Sequence, residues 1–237
     1  MTLPFFFISE YHTSQKEIVL DEDTSRHIVQ VLRMKEGEKL NLTDGKGNLI
    51  SAEISEAHKK HCSAHIQHTA FKTHPSRHVT IAISLLKNTN RLEWFLEKAT
   101  EIGVSEIVPL LCARTEKQKF RLERMKQICI SAMLQSQQTW LPALAEPVSY
   151  KDYLRSVETR HNISKFIAHC DDASERRNLS AFNLLSHCTI VIGPEGDFTP
   201  DEIQLAIKND FSPVTLGKTR LRTETAGIVA ATLLSRI

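Results

Sequence analysis

Three short stretches of the 237-residue chain hold residues whose types and spacing could do chemistry. "IGPEGDFTPDEI" (192–203) sets Gly193, Pro194, Glu195 and Gly196 directly after an apolar run, and "LGKTRLRTETAG" (216–227) sets Arg220, Arg222 and Glu224 between two glycines. Earlier, "SLLKNTNR" (84–91) places Lys87 and Arg91 after another apolar run. Glycine permits positive φ or a close approach of backbone to a ligand, and proline stiffens the loop between two of them. Arginines stabilise an anion that develops during reaction. A carboxylate beside them acts either as a proton acceptor or as the group that orients the arginine. Read alone, GPEG is a structural turn leading into Thr199-Pro200-Asp201-Glu202, a helix start with Thr as N-cap and Glu three residues on. Two such loops late in one chain, each joining glycine to an acid, with an arginine pair beside the second, point instead to a site. It is no familiar phosphate cradle, since both GxGxxG and GxxxxGK[ST] are missing. That argues against dinucleotide binding and nucleotide hydrolysis.

The elements that must position these loops change character near residue 70. "KLNLTDGKGNLISAEI" (39–54) alternates apolar and polar residues on both sides of Asp44-Gly45-Lys46-Gly47-Asn48, the signature of a β-hairpin. Before it, a short helix or turn is predicted around His27 to Leu32, ending by Gly37. Several short strands of this kind close most naturally into a small barrel. "HTAFKTHPSRHVT" (68–80) is polar, carries Pro75 and marks a domain boundary. Beyond it, apolar β-branched runs alternate with helical periodicity. Strands are predicted at 78–86, 104–112, 165–170, 188–193 and 213–217, and helices at 91–103, 117–137, 199–209 and 223–237. Strands apolar on both faces and separated by helices predict an α/β domain with a mostly parallel sheet, whose ligands bind beyond the carboxyl ends of the strands.

Composition is that of a soluble globular protein, 41% hydrophobic and 24% charged. No apolar stretch approaches the roughly 18 residues needed to span a bilayer, and "LPFFFI" lacks the flanks of a signal peptide. The five cysteines are scattered and never form CxxC, which reads as reduced thiols in a cytoplasmic protein. Net charge is only +2, yet "RTEKQKFRLERMK" (114–126) holds six basic residues against two acidic ones. Such a run is either the solvated face of a helix or a phosphate-contacting surface. "AHKKHCSAHIQH" (57–68) resembles metal bait, but its alternation reads as an edge strand with exposed histidines, so no metal is expected. Trp94 and Trp140 are expected to pack in a core or interface.

"IGPEGDFTPDEI" and "LGKTRLRTETAGIVA" closely resemble the two C-terminal motifs of the RsmE family, the 16S rRNA (uracil-N3) methyltransferases of the SPOUT superfamily. "RHIVQVLRMKEGEKLNLTDGKGN", "RLEWFLEKATEIGVSEIVPL" and "AMLQSQQTWLP" extend the likeness over nearly the whole chain. Asp197 stands where many members have a second glycine, and Lys218-Thr219 where "PRI" is usual. The resemblance implies a PUA-like, RNA-binding β-barrel over 1–72 and a SPOUT trefoil-knotted α/β methyltransferase domain over 73–237. It also implies a homodimer, S-adenosyl-L-methionine as cofactor, and 16S rRNA in the small ribosomal subunit as substrate. The cofactor would be held by Leu85, Ile192, Gly193, Pro194, Glu195, Gly196, Leu216, Gly217, Leu221, Arg222 and Thr225. Arg26, His27, Arg33, Lys35, Lys87 and Arg91 would contact RNA. Arg222, Glu224 and Arg114 would serve the chemistry, with Glu224 as base or as the orienter of Arg222. The competing reading is a non-catalytic dimeric RNA-binding protein that keeps the fold; intact GPEG and LRTETA loops favour the enzyme.

Overall fold

The computed structural model describes residues 3–116, 119–171 and 175–235. They fall into two compact units, Met1–His74 with Met133–Leu141, and Pro75–Ala132 with Pro142–Ile237.

In the first unit, β1 (Phe5–Phe7), β2 (Glu17–Val19), β3 (Lys39–Thr43), β4 (Asn48–Glu56) and β5 (Ser63–Phe71) form one sheet in the order β1-β3-β4-β5-β2. The predicted hairpin is present. Leu40 and Leu42 face Ala52 and Ile50 across β3 and β4 and are buried, while Lys39 pairs with Glu53 on the other face. Its turn needs glycine twice over, because Gly45 and Gly47 have φ of 68° and 95°. A Cβ on Gly47 would lie 2.6 Å from the Trp140 ring and 2.9 Å from the Lys72 carbonyl. Trp140 is thus a packing residue of this unit, its Nε1 donating to the Lys72 carbonyl at 2.9 Å. Helix α1 (Glu22–Arg26) starts where Asp21 accepts from the Thr24 N–H, and it runs into a π-helical turn over His27–Val31. Arg26, His27, Arg33 and Lys35 are all exposed on this stretch. The histidine-rich segment is a strand, but not an edge strand: β5 lies between β4 and the short β2, so β2 takes the edge.

The second unit is wound around a fully parallel sheet. Its elements are β6 (His78–Ser84), α2 (Thr89–Ile102), β7 (Glu106–Leu111), α3 (Leu122–Gln135), β8 (Ala143–Leu144), β9 (Val148–Ser149), α4 (Tyr150–Glu158), β10 (Ile163–Ala168), β11 (Arg177–Asn178), β12 (His187–Ile192), α5 (Pro200–Lys208), β13 (Ser212–Thr215) and α6 (Thr223–Ser235). The last three residues of α3 group with the first unit. Helix α3 is shorter than the predicted 117–137, whose Lys117 and Gln118 lie outside the described residues, as do Arg236 and Ile237 of the closing helix. The strand order is β11-β13-β10-β12-β6-β7-β8, with β9 beside β7, and every pairing is parallel. The central strands read as unbroken apolar runs because helices cover both faces. On one face, Tyr150, Tyr153 and Leu154 of α4 and Ile203 and Ala206 of α5 join Val191 and Ile167 in one core. Against the other face lies α6, packed on α2 and β6. Gly227 of α6 makes that approach possible: a Cβ there would sit 2.5 Å from Phe95 and 3.0 Å from Ile83. Trp94, by contrast, is exposed on α2 rather than packed in the core.

One row of paired residues decides where the loops go. Val214, Ala168, Ile192, Ile83 and Pro109 lie side by side across β13, β10, β12, β6 and β7. All five strands run the same way, so the loops that follow them emerge along a single edge of the sheet.

Candidate functional site

Two cavities open along that edge. The larger, about 640 Å³, is walled by the loops after β10, β12 and β13. The smaller, about 420 Å³, is lined by Lys87, Asn88 and Arg91 from the loop and first turn after β6, Arg114 and Glu116 from the loop after β7, and Glu195 and Gly196 from the loop after β12. Glu195 borders both.

The GPEG loop is built from both sides. Its far end is fixed by the predicted capping box, in which Thr199 Oγ1 accepts from the Glu202 N–H and Glu202 accepts from the Thr199 N–H. The other oxygen of Glu202 accepts from the Ala113 N–H at 2.8 Å, tying the loops after β7 and β12 together. Arg114 adds a second tie: its guanidinium donates to the Gly196 carbonyl at 2.6 Å and to that of Phe198 at 3.4 Å. Arg114, expected in the chemistry, is therefore also the clamp of the cavity wall.

Of the two roles open to these glycines, positive φ and close approach, only the second is used, and only at Gly193. Neither Gly193 nor Gly196 has positive φ; the left-handed residue is Asp197, at φ 62°. Aspartate tolerates that region because its side chain bonds locally. Here Oδ1 accepts from the Phe198 N–H and Oδ2 from the Cys170 N–H, both at 2.8 Å. A position that glycine could fill is thus occupied by a residue that also anchors the loop after β10. Gly193 is required for closeness, since a Cβ would meet Phe198 atoms at 3.1, 3.2 and 3.3 Å. Gly196 has ordinary room, at 3.4 Å from Arg114.

Of the residues expected to hold a cofactor, Ile192, Gly193, Pro194, Glu195, Leu216, Gly217, Leu221 and Arg222 all line the larger cavity. Gly196 lines the smaller one, and Leu85 and Thr225 line neither. Leu85 is only 2% exposed, its N–H donating to the Leu110 carbonyl. Arg222 opens α6, its carbonyl accepting from the Ala226 N–H at 2.7 Å. Glu224 does not orient Arg222. Its side chain is 8% exposed, one oxygen lies 3.6 Å from Arg91 Nε, and the other is buried without a hydrogen-bond partner among the described residues. Lys87 pairs with Glu116 at 3.2 Å. Arg26 pairs with Glu22 and Asp23 in the first unit.

Sequence reasoning missed the third wall. Ala168, His169, Cys170 and Arg176 line the larger cavity beyond β10. His169 is 5% exposed, its Nδ1 accepts from the Asp171 N–H at 3.2 Å, and its Nε2 is buried with no partner among the described residues. Burial first, then the charge of Arg176, lowers its pKa from the ordinary histidine value. "KFIAHC" carries no glycine, acid or arginine that could have marked it. Only the position of β10 between β13 and β12 brings it to the site. Among the described residues, no group of three or more histidine, cysteine, aspartate or glutamate side chains is arranged to hold a metal. No described helix is long and apolar enough to cross a membrane.

Comparison with known proteins gives a consistent set of likenesses. A family model described as an RNA methyltransferase domain matches residues 72–235, and one described as an RNA methyltransferase PUA domain matches 20–67. The "Ribosomal RNA small subunit methyltransferase E" of Rickettsia conorii is 29% identical over 94% of this chain and 91% of its own. That of Synechocystis is 31% identical over 86% and 68%. Among solved structures, a probable rRNA-methyltransferase from Porphyromonas gingivalis superposes with a TM-score of 0.90 at 37% identity, covering 99% of both chains. Ribosomal RNA small subunit methyltransferase E from Neisseria gonorrhoeae, bound to S-adenosyl methionine, superposes with a TM-score of 0.88 at 28% identity, covering 99% of this chain and 98% of its own.

Proposed function

The chain belongs to the RNA methyltransferase family, and we propose that it methylates N3 of a uridine in 16S rRNA, the reaction of the RsmE enzymes its motifs resemble. It is a methyltransferase of ribosomal RNA that uses S-adenosylmethionine. The observation that carries the finer reading is the pair of cavities joined at Glu195, one walled by backbone-rich loops and the other by cations.

The larger cavity suits the cofactor in size and in chemistry. About 640 Å³ lies within the usual range for a nucleoside-sized ligand. Gly193 lets the loop close onto Phe198, and His169 carries a buried donor with no partner among the described residues. Ile192, Gly193, Pro194 and Leu216 to Arg222 would hold the group. Glu195 offers the negative charge that a sulfonium favours, and Arg220 offers a cation for a carboxylate, leaving Arg222 for the chemistry. When bound, S-adenosylmethionine supplies an electrophilic methyl group for in-line displacement, so positioning of the acceptor does much of the work.

The smaller cavity is the place for the target base. Uracil N3 carries a proton that must leave, and the anion that results is favoured by nearby cations. Arg91 and Lys87 face this cavity, as does Arg114, and Arg222 faces the neighbouring one. Glu224, held near Arg91 with one oxygen unpartnered, is positioned either to take the proton or to fix Arg91. The uridine has to leave its stack to enter. Residues 1–72, with Arg26, His27, Arg33 and Lys35, serve as the RNA-holding domain, and 73–237 as the catalytic one. The working form is a cytoplasmic homodimer with a knotted cofactor site, acting on the assembled small subunit.

The test is transfer of labelled methyl to small-subunit RNA by wild type and by Arg222→Ala. The variant should lose turnover far more than cofactor affinity. Equal losses in both would contradict a role for Arg222 in the chemistry.

A further inference from the structure

His169 stands apart from the residues the family motifs mark, yet it is a buried polar residue on the wall of the larger cavity. It follows Ala168, which pairs with Ile192 on one side and Val214 on the other. These three line the cavity and give it an apolar floor. The imidazole beside that floor is 95% buried, as its 5% exposure implies. Its tautomer follows from its bonds. Nδ1 accepts the Asp171 N–H, so the neutral ring carries its hydrogen on Nε2. Nε2 is thus a buried N–H donor without an acceptor among the described residues. Such a donor is costly to leave unmet, and a ligand in the cavity is what can meet it.

We propose that His169 donates its Nε2–H to a neutral acceptor on the nucleoside half of the cofactor, an adenine ring nitrogen or a ribose oxygen, and so helps select the nucleoside. This rests on the reading of the larger cavity as the S-adenosylmethionine site. The nucleoside half is favoured over the methionine carboxylate for two reasons. An apolar floor adjoining His169 matches the face of a purine. The cations suited to a carboxylate, Lys218 and Arg220, belong to a different wall, the loop after β13. Among the described residues, the charged groups facing the imidazole are Arg176, whose guanidinium donates to the His169 carbonyl at 2.6 Å, Asp171 and Asp197. Burial and Arg176 outweigh the two acids and keep the ring neutral, which preserves the donor and avoids a positive charge beside a cationic cofactor.

Calorimetry on the full-length protein tests this with two unreactive ligands. S-adenosylhomocysteine carries both halves of the cofactor; methylthioadenosine carries only the nucleoside. His169→Phe should weaken both by about tenfold, the effect of one neutral bond lost from a shielded site. His169→Gln, which keeps an N–H donor in nearly the same place, should recover most of the loss. Equal affinities in wild type and His169→Phe would overturn the proposal. So would a loss confined to S-adenosylhomocysteine, which would put the contact on the amino-acid half. Should His169→Phe fail to fold, the imidazole proton of the wild type decides by NMR. Methylthioadenosine must shift that resonance and slow its exchange, and an unmoved signal counts against the contact. Wild type binding neither ligand would sink the cofactor reading itself.

Discussion

Replacing Gly193 by valine probes how the cavity wall is built. An ideal Cβ at this position falls 3.1 and 3.2 Å from two ring carbons of Phe198 and 3.3 Å from its backbone nitrogen. The ring cannot simply swing aside, because Phe198 is 3% exposed and packs 5.1 Å from the Tyr150 ring in the core under α4 and α5. Valine adds two methyl groups beyond that Cβ, so either the ring or the loop has to move. Overpacking of this kind costs about 1–3 kcal/mol. At roughly 2–4 °C per kcal/mol for a chain of this size, the melting temperature should fall by roughly 2–12 °C. The same loop carries Pro194 and Glu195 into the cavity, so S-adenosylhomocysteine should bind about tenfold more weakly, a loss of about 1.4 kcal/mol. Gly196→Ala is the control. Its Cβ meets only the flexible Arg114 side chain, at 3.4 and 3.7 Å, and stability should stay within about 0.5 kcal/mol of wild type. Thermal melts and calorimetry on the two variants make the comparison. Wild-type melting and binding for Gly193→Val, or greater damage from Gly196→Ala, would refute the reasoning.

Other expectations follow from the same geometry. Arg91→Met strips the partner from a carboxylate that is 8% exposed. Loss of a fully buried pair costs several kcal/mol, but Arg91 is 36% exposed, so solvent screening brings the expected loss to about 1–2 kcal/mol. Adding Glu224→Gln should restore most of it in chemical denaturation; a double variant no better than Arg91→Met would mean the pair is not coupled. Cys170 is exposed on the cavity wall, whereas burial pushes the Cys112 thiol up to about 12. Alkylation should therefore strike Cys170 well before Cys112, and S-adenosylhomocysteine should slow it; mass mapping that shows no protection would place the ligand elsewhere. For His169, the folded pKa is depressed below the ordinary 6.5, so the unfolded state binds more protons between those two values. Stability should fall as pH drops through that window, and more in wild type than in His169→Gln, when denaturation is compared between about pH 7 and about pH 5. Parallel curves would show that the imidazole stays uncoupled from folding.

Much of this arrangement was legible in the residues themselves. The hairpin at Asp44–Asn48, the capping box at Thr199 and the parallel-sheet rhythm each rest on local rules, and each appears in the fold. The GPEG and LRTETA loops do line one cavity, because parallel strands send their loops to one edge, but the strands before them are not the neighbours the sequence suggests. What periodicity could not supply is strand order. β10 separates β13 from β12, so its otherwise plain His169 becomes a wall of the cavity. Conformation was the other gap. Glycine suggested positive φ at 193 and 196, yet the turn is made at Asp197, where side-chain bonds to Phe198 and Cys170 replace the missing freedom. Likewise, nothing in "RTETAG" distinguishes Glu224 facing Arg222 from Glu224 facing Arg91. Only the packing of α6 on α2 settles it.

The central claim is that the two cavities joined at Glu195 transfer a methyl group from S-adenosylmethionine to N3 of a uridine. Nucleoside mass spectrometry measures this directly, after incubation of the purified protein and labelled cofactor with small subunits, or their RNA, from cells lacking the modification. Labelled 3-methyluridine is expected in 16S rRNA, absent without the protein and strongly reduced with Arg222→Ala. Label in any other nucleoside, or none in either RNA or subunits while the cofactor binds, would contradict it.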